Sequence, residues 1–329
     1  MEFRKAPRKT MPVPGTFTPP LRRKPLLTSL AAAGLAAAAG LTLYLYAPAQ
    51  NGGGLGLIPS AGAVPAVTVQ GPASALRQYL NELGYRLDDI RAGRGAVPRL
   101  HLADMPEDMD AVQDVDARKR LFLRLMLPLA LHANERVAAE RASLLALAGR
   151  MRSGETLTEA EQDWLNGLAE RYETDPRDLD GLIRRVDAVP PSLVLGQAAL
   201  ESGWGTSRFA REGNALFGQR VFGAAGKGLD PLDAGEGPVF RVRSFETPQE
   251  SVDAYLHNLN THPAYAEFRA LRARMAKAGT GPDSLALART LHAYSEEGTD
   301  YIRLLTQIIR INRLTALDRA AITAAPPRA

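Results

Sequence analysis

The chain has 329 residues, of which 45% are hydrophobic and 23% charged, a composition typical of a globular protein with one large or two ordinary domains. It contains no cysteine, which excludes a disulfide framework, a cysteine nucleophile and a thiolate metal site. The first 24 residues carry a net charge of +6, so the remainder is near −2 although the whole chain is +4. A body of that charge, without an aromatic and basic platform, lacks the electrostatic footprint of a nucleic-acid-binding protein.

The N-terminal region predicts a tail, an anchor and a linker. Residues 1–25 form a basic cytoplasmic tail, and the apolar run of 26–47 is long enough for a transmembrane helix. The basic residues before the run place the rest of the chain outside the cytoplasm. The alternative is a signal peptide cleaved at Ala47-Pro48-Ala49, and the body is exported in either case. Residues 48–75, rich in glycine and proline, predict a flexible linker.

Helical periodicity dominates the next part of the chain. Apolar residues at helical spacing predict helices at 74–83, 116–151, 158–173, 178–187 and 191–202. We expect Pro128 to kink or break the second of these. Residues 76–188 therefore form a helical extension, whose apolar stripe is expected to be core or a lid packed on the following domain.

The end of the helix at 191–202 holds the most informative carboxylate, Glu201. Pro190, Pro191 and Ser192 mark the start of this helix, and Gly203 is a natural terminator. A carboxylate in the last turn faces the negative end of the helix dipole, and apolar neighbours add a cost of burial, so its pKa should be raised. A carboxylic acid of that kind suits the protonation of a leaving glycosidic oxygen. The alternative is a solvated glutamate at a helix end.

Residues 217–245 change character, because aromatic and β-branched residues alternate with glycine and proline. This pattern predicts a β-hairpin or a small three-stranded lobe. Further helices are predicted after Thr247, near 264–277, 283–293 and 299–312. The expected fold is mainly α within the α+β class: a lysozyme-like helical domain at 189–315 with a small β-hairpin lobe, followed by a disordered tail at 316–329.

Several motifs resemble one known family. Ala199–Gly205, followed by Asn214–Gly218, resembles the signature of the glucosaminidase domains of glycoside hydrolase family 73, which cut peptidoglycan. The resemblance extends over roughly 190–315 through three more motifs: Ser244–Ser251, Leu259–Tyr265 and Tyr294–Tyr301. The segments Val97–Ala103 and Arg120–Leu129 further resemble the bacterial Bax-like proteins, a branch of that family with an added helical N-terminal part.

The resemblance implies a site around Glu201 as general acid. Tyr294 corresponds to a tyrosine near that acid, although its motif here is longer than the common form and lacks proline. Glu236 in the β lobe is the best match for a second acid, with Asp230 and Asp233 as alternatives. The expected substrate-binding residues are Gln197, Ser202, Trp204, Asn214 and Phe217. The five histidines make no ligand spacing, so we expect neither a metal nor another cofactor.

The sequence therefore predicts a single-pass protein of the bacterial inner membrane whose catalytic domain faces the periplasm. Its expected partners are peptidoglycan glycan strands and, through the N-terminal helix, the membrane itself. Its expected activity is that of an endo-β-N-acetylglucosaminidase. Two alternatives stay open: a lytic transglycosylase, which closes an anhydro ring without water, and a non-catalytic glycan-binding scaffold. Hydrolysis also needs a base, a carboxylate nucleophile or a substrate acetamido group beside the acid.

Overall fold

The computed structural model describes residues 42–46, 66–222, 227–231 and 240–323. The described residues all fall in one compact unit, which is mainly helical and holds two small three-stranded sheets. Its helices are α1 Ala73–Glu82, α2 Leu87–Arg91, α3 Val115–Arg152, α4 Glu159–Arg171, α5 Leu179–Arg185, α6 Pro191–Ser202, α7 Arg208–Gly213, α8 Pro248–Thr261, α9 Ala266–Lys277, α10 Ser284–Ala288 and α11 Thr299–Ile311. The strands are β1 Thr42–Tyr46, β2 Ala66–Gln70, β3 Leu100–Leu102, β4 Arg220–Phe222, β5 Gly228–Leu229 and β6 Phe240–Arg243.

Helix α6 lies at the centre of the unit. Nearly all of its residues are buried, which is why it shows no apolar stripe but is apolar on every side. It packs against α3, α10, α11 and the 3-10 turn Leu314–Leu317. Gly196 permits the closest of these contacts, because a Cβ built there would lie 2.8 Å from Ile309 Cγ1 of α11. The glycine thus lets α11 press onto the helix that carries Glu201.

Helix α3 is the longest element, with 38 residues, and residues 121–133 are all buried. Of the two predicted effects of Pro128, a kink or a break, the break does not occur, since the helix is continuous from Val115 to Arg152. A proline inside a helix removes one backbone donor and crowds the preceding turn. Here the cost is outweighed by the burial of a whole apolar segment between the other elements.

The helical extension and the predicted catalytic domain share one core. A single cluster of buried residues runs from Val67 of β2 through α3 and α6 to Leu317. The predicted boundary at 188/189 is therefore not a boundary between two cores. Only the outer part of the extension, where α4 and α5 pack on the end of α3, has a separate small cluster around Leu165 and Leu182. The extension is consequently built into the domain that carries the site.

The first sheet corrects the predicted linker. Strand β2 is central in the order β1-β2-β3, antiparallel to β1 and parallel to β3. Its alternating Val67 and Val69 are buried, and α1 begins three residues after it ends. Residues 66–75, predicted as the end of a flexible linker, are therefore part of the fold, because they supply apolar side chains to the common core. The rest of the predicted linker lies outside the described residues.

The predicted transmembrane helix at 26–47 also lies largely outside the described residues. Its last part, Thr42–Tyr46, is a strand that pairs with β2, with Thr42 opposite Gln70. The alternation Thr-Leu-Tyr-Leu-Tyr has the period of a strand and consists of residues that favour strands, apart from leucine. No helix of the described ranges is both long and apolar enough to cross a membrane. The anchor itself stays a prediction.

The second sheet forms the predicted β lobe. Its order is β4-β6-β5, and both pairings are antiparallel. The tail predicted as disordered at 316–323 is ordered instead. Ile322 forms a parallel bridge with Val97, and the Thr323 amide donates to the Val97 carbonyl at 2.8 Å. These backbone bonds hold the C-terminal segment to the extension, while 324–329 lie outside the described residues.

Candidate active site

The carboxylate of Glu201 stands at the end of α6, as the local signals predicted. Pro191 occupies the first turn, where a missing backbone donor costs nothing, and Gly203 ends the helix with φ of 58°. Glu201 is the penultimate residue of the helix and is partly buried. Its side chain therefore sits where a central, buried helix reaches a surface.

The environment of Glu201 favours its protonated form. Burial raises the pKa of the carboxyl, and the nearby carboxylate of Glu297 raises it further. A hydrogen bond from the Tyr301 hydroxyl opposes these two effects, but the pKa remains above that of an ordinary glutamate. The position in the last helical turn acts in the same direction as burial. The group can therefore hold a proton at a higher pH than a solvated glutamate.

A chain of hydrogen bonds leads to this carboxyl from within the core. The Tyr255 hydroxyl of α8 donates to Oε1 of Gln197. Nε2 of Gln197 donates to the Tyr301 hydroxyl at 2.7 Å, and Tyr301 in turn donates to Glu201. Gln197 and Glu201 lie four residues apart on the same face of α6. Because each donor has one acceptor, this series of hydrogen bonds directs the Tyr301 hydroxyl toward the Glu201 carboxyl.

Four tyrosine rings pack together beside the Glu201 carboxyl: Tyr255, Tyr265, Tyr294 and Tyr301. The rings of Tyr294 and Tyr301 stack with centroids 5.5 Å apart, and Tyr255 stacks on Phe217 at 4.1 Å. Burial, with the Glu201 charge among the smaller causes, raises the pKa of all four hydroxyls. The tyrosines are thus neutral donors, and their rings supply the apolar wall that desolvates the acid.

Tyr294 lies in this cluster, as predicted, but its hydroxyl does not bond the acid. It donates to the backbone carbonyl of Phe217 at 3.0 Å, whereas the bond to Glu201 comes from Tyr301. Tyr294 therefore ties the segment before α11 to the loop that leads into β4. The proton of its hydroxyl is used in this bond, and the predicted catalytic role of Tyr294 stays a prediction.

Gly218 brings the main chain against the acid on its open side. Its φ is +62°, and a Cβ built there would lie 3.3 Å from Oε2 of Glu201. A side chain at this position would be strained and would crowd the carboxyl. The glycine at the end of the Asn214–Gly218 motif is therefore needed for both its conformation and its small size.

Asn214 organises the loop between α7 and the β lobe. It adopts a φ of 51° and is 5% exposed. Its Nδ2 donates to Asp104 Oδ1 at 3.1 Å and to the carbonyls of Phe245 and Glu246 at 3.3 Å. Its Oδ1 accepts from the Met105 amide at 3.0 Å. This side chain therefore joins the extension to the segment that follows the β lobe.

Other predicted substrate contacts are also committed to the protein. The Ser202 hydroxyl is buried, donates to the Ala198 carbonyl at 2.5 Å and accepts from the Gly205 amide at 2.9 Å. Phe217 is 2% exposed beneath Tyr255. In the structure the described contacts of Gln197, Ser202, Asn214 and Phe217 are all with the protein itself, and their predicted contact with a substrate stays a prediction.

Trp204 is the exception, because its side chain is partly exposed. It has a φ of 61°, which is rare for a residue with a side chain, and its amide donates to the Ala199 carbonyl at 2.9 Å. The edge of its ring packs against Phe122 of α3 at 5.8 Å between centroids. The predicted contact of Trp204 with a sugar ring stays a prediction.

The β-lobe acids are not brought to the site by the described structure. Glu236 and Asp233 lie outside the described residues, and Asp230 is exposed, with its carbonyl accepting from Arg208. Within the described ranges, no group of three or more histidine, aspartate or glutamate side chains could hold a metal ion.

Sequence reasoning missed Tyr301, Tyr255, Tyr265 and Gly218. Tyr301 is the last residue of the Tyr294–Tyr301 motif, so its position in a motif was visible while its hydrogen bond was not. Gly218 likewise closes a motif. Tyr265 closes the Leu259–Tyr265 motif in the same way, whereas Tyr255 lies at helical spacing in α8 and gave no signal beyond that of a core residue.

Comparisons with known proteins agree with the motifs. The family model described as mannosyl-glycoprotein endo-beta-N-acetylglucosaminidase matches residues 182–314. Protein bax of Escherichia coli (strain K12) is 36% identical over 202 residues, which is 60% of this chain and 70% of that protein. The crystal structure of the catalytic domain of the autolysin Auto from Listeria monocytogenes is 19% identical, with a TM-score of 0.31 over 52% of this chain and 96% of that one.

Proposed function

Because the chain belongs to the Bax-like branch of the glucosaminidase family of glycoside hydrolases, we propose that it hydrolyses the glycan strand of peptidoglycan. The proposed activity is that of an endo-β-N-acetylglucosaminidase, with Glu201 as the general acid. One observation carries the assignment of the acid: a partly buried carboxyl with a raised pKa, at a helix end, hydrogen-bonded by a tyrosine.

The proposed chemistry uses the two forms of Glu201 in turn. Protonated Glu201 donates its proton to the glycosidic oxygen as the bond to the sugar carbon breaks, through an oxocarbenium-like transition state. The carboxylate that is left then accepts the hydrogen bond of Tyr301, whose hydroxyl Gln197 holds in place. Tyr301 touches the reacting acid and stabilises the charge that appears on it. The arrangement therefore eases proton release without losing the raised pKa.

A second group must activate water or stabilise the cation. Our candidate remains Glu236, outside the described residues, with Asp230 and Asp233 as alternatives. A substrate acetamido group acting as the nucleophile would serve in its place. Among the described carboxylates, Glu297 is the one whose charge acts on Glu201, although its side chain is exposed.

We also propose that the body faces the periplasm, tethered to the bacterial inner membrane through the part of the apolar run at 26–47 that precedes the strand Thr42–Tyr46. The support is the basic cluster before an apolar run in the sequence. Mass spectrometry of the intact protein recovered from the membrane fraction distinguishes a retained anchor from a cleaved signal peptide. Retention of the first residues supports the anchor, and a mature N-terminus near residue 50 supports a cleaved signal peptide.

The test of the proposed activity is digestion of peptidoglycan by the purified full-length chain, followed by mass spectrometry of the products. New reducing N-acetylglucosamine ends that vanish in Glu201→Gln support the proposal. A matched control, Glu267→Gln, changes an exposed glutamate on α9 and should cleave as the wild type does. Anhydro ends, lighter by one water, would instead indicate a lytic transglycosylase. Binding without cleavage by the wild type would favour the scaffold.

A further inference from the structure

A lysine in the N-terminal part of α3 lies over the ring of Trp204. Nζ of Lys119 lies 5.2 Å from the centroid of the Trp204 ring, and Phe122, one turn further along α3, packs against the same ring. Trp204 follows Glu201 by three residues. The extension thus places an ammonium group beside the one partly exposed aromatic residue at the end of the catalytic helix.

The Lys119 ammonium has no carboxylate partner in the described part of the chain. Several other cations of α3 pair with carboxylates, such as Arg136 with Asp253 and Arg150 with Glu155. Lys119 is partly buried, and the contact given for its ammonium is the Trp204 ring. A ring face attracts the cation without using its N–H donors for a hydrogen bond to oxygen. The donors therefore remain available to an anion.

The backbone around Trp204 is built to hold this arrangement. Gly203, Trp204 and Gly205 all have positive φ, of 58°, 61° and 79°. A Cβ on Gly205 would lie 2.9 Å from Met105 Cε and 3.1 Å from Phe122 Cδ2, so the turn is pressed onto the extension. A non-glycine residue in this conformation is strained, and such strain concentrates at functional sites.

We propose that Lys119, held over Trp204, binds a carboxylate of the substrate and makes the enzyme selective for carboxylate-bearing glycan. This inference rests on the proposed function and names its substrate class. In peptidoglycan the muramoyl sugar bears a lactyl branch, which ends in a free carboxylate or continues into a peptide with carboxylates of its own. Neutral chitin-like strands have neither. Lys119 is a specificity-determining residue and takes no part in proton transfer.

The competing explanation is that Lys119 only helps to dock the extension on the catalytic part. Both explanations predict that Lys119→Gln loses the contact with Trp204, so stability alone does not separate them. They differ in charge selectivity. A docking role affects carboxylate-bearing and neutral strands equally, whereas carboxylate recognition affects only the former.

The experiment measures binding in a Glu201→Gln background of the full-length chain, so that the result stands whether or not the chain cleaves. The ligands are soluble peptide-bearing strands, amidase-treated strands with free lactyl carboxylates, and strands whose carboxylates have been converted to amides. The protein with unchanged Lys119 should bind the two carboxylate-bearing ligands more tightly than the amidated strands. Lys119→Gln should weaken carboxylate binding by about threefold to tenfold and leave the amidated strands unchanged.

Two matched variants complete the test. Lys119→Arg keeps the charge and should retain the selectivity, while Lys277→Gln removes an exposed lysine at the far end of α9 and should change nothing. The first two ligands distinguish a peptide carboxylate from a lactyl one. Equal loss for all three ligands, or none, overturns the inference. Cleavage of the strands by the protein with unchanged Glu201 is measured separately, and absence of cleavage would overturn the proposed function instead.

Discussion

Substitution of Tyr301 by phenylalanine tests the hydrogen-bond chain that ends at the acid. The change removes one hydroxyl that donates to Glu201 and accepts from Gln197. Because the bond from Tyr301 lowers the pKa of Glu201, its loss should raise that pKa further. The alkaline limb of the pH–activity profile, where the acid loses its proton, should move to higher pH. The maximal rate should fall by about tenfold or more, because the acid is less well positioned.

The same substitution should also destabilise the fold. Gln197 is fully buried, and Tyr301→Phe leaves its Nε2 without the acceptor it has at 2.7 Å. A buried polar group without a partner costs about 1–3 kcal/mol. At roughly 2–4 °C per kcal/mol for a chain of this size, Tm should fall by about 2–12 °C.

Tyr85→Phe is the matched control for that stability effect. The Tyr85 side chain is 3% exposed, and its hydroxyl has no hydrogen-bond partner in the described part of the chain. Removing it should leave Tm and the pH profile unchanged, or raise Tm slightly. If Tyr301→Phe leaves both Tm and the alkaline limb unchanged, the hydrogen bonds that link Tyr255, Gln197, Tyr301 and Glu201 neither stabilise the fold nor lower the pKa of the acid.

Further predictions concern the charge and the space around the acid. Glu297→Gln removes a negative charge that raises the pKa of Glu201, so the alkaline limb of the pH–activity profile should move to lower pH. The same change at exposed Glu296 should not move that limb. The measurement is the pH–rate profile of both variants. Gly218→Ala should cost about 1–2 kcal/mol of stability and most of the activity, since φ is +62° and its Cβ would meet the acid. Gly281→Ala, with φ of +70° and open space, should show the same strain in thermal unfolding but keep full activity. Because the folded-state pKa of Glu201 is raised, the stability that its protonated form contributes is present at low pH and is lost as pH rises through that pKa. Glu201→Gln should therefore unfold at a higher temperature than the wild type at pH 7, with the difference disappearing well below the ordinary glutamate pKa; no difference at pH 7 would contradict the raised value.

Local signals were sufficient for α6 and for the acid at its end. Pro191 and Gly203 each act on the backbone of their own residue, so the predicted range of 191–202 agrees with the helix found. The position of Glu201 in the last turn, and the direction of its pKa, followed from that range and its apolar neighbours. Amino-acid composition was a less reliable guide to where the folded part begins. The glycine- and proline-rich stretch predicted a linker through residue 75, but β2 lies in the core because its two valines meet apolar residues of distant elements.

The partners of the acid depended on packing between distant segments. Tyr255 lies 58 residues from Gln197, and Tyr301 lies 104 residues from it. No local pattern distinguishes a tyrosine that bonds the Glu201 carboxyl from one that fills a core. The sequence by itself determined where the acid stands, because helix start and stop signals act within a few residues. Only the tertiary structure decided which hydroxyl reaches that acid and that the extension shares its core, because both depend on contacts between segments far apart in the chain.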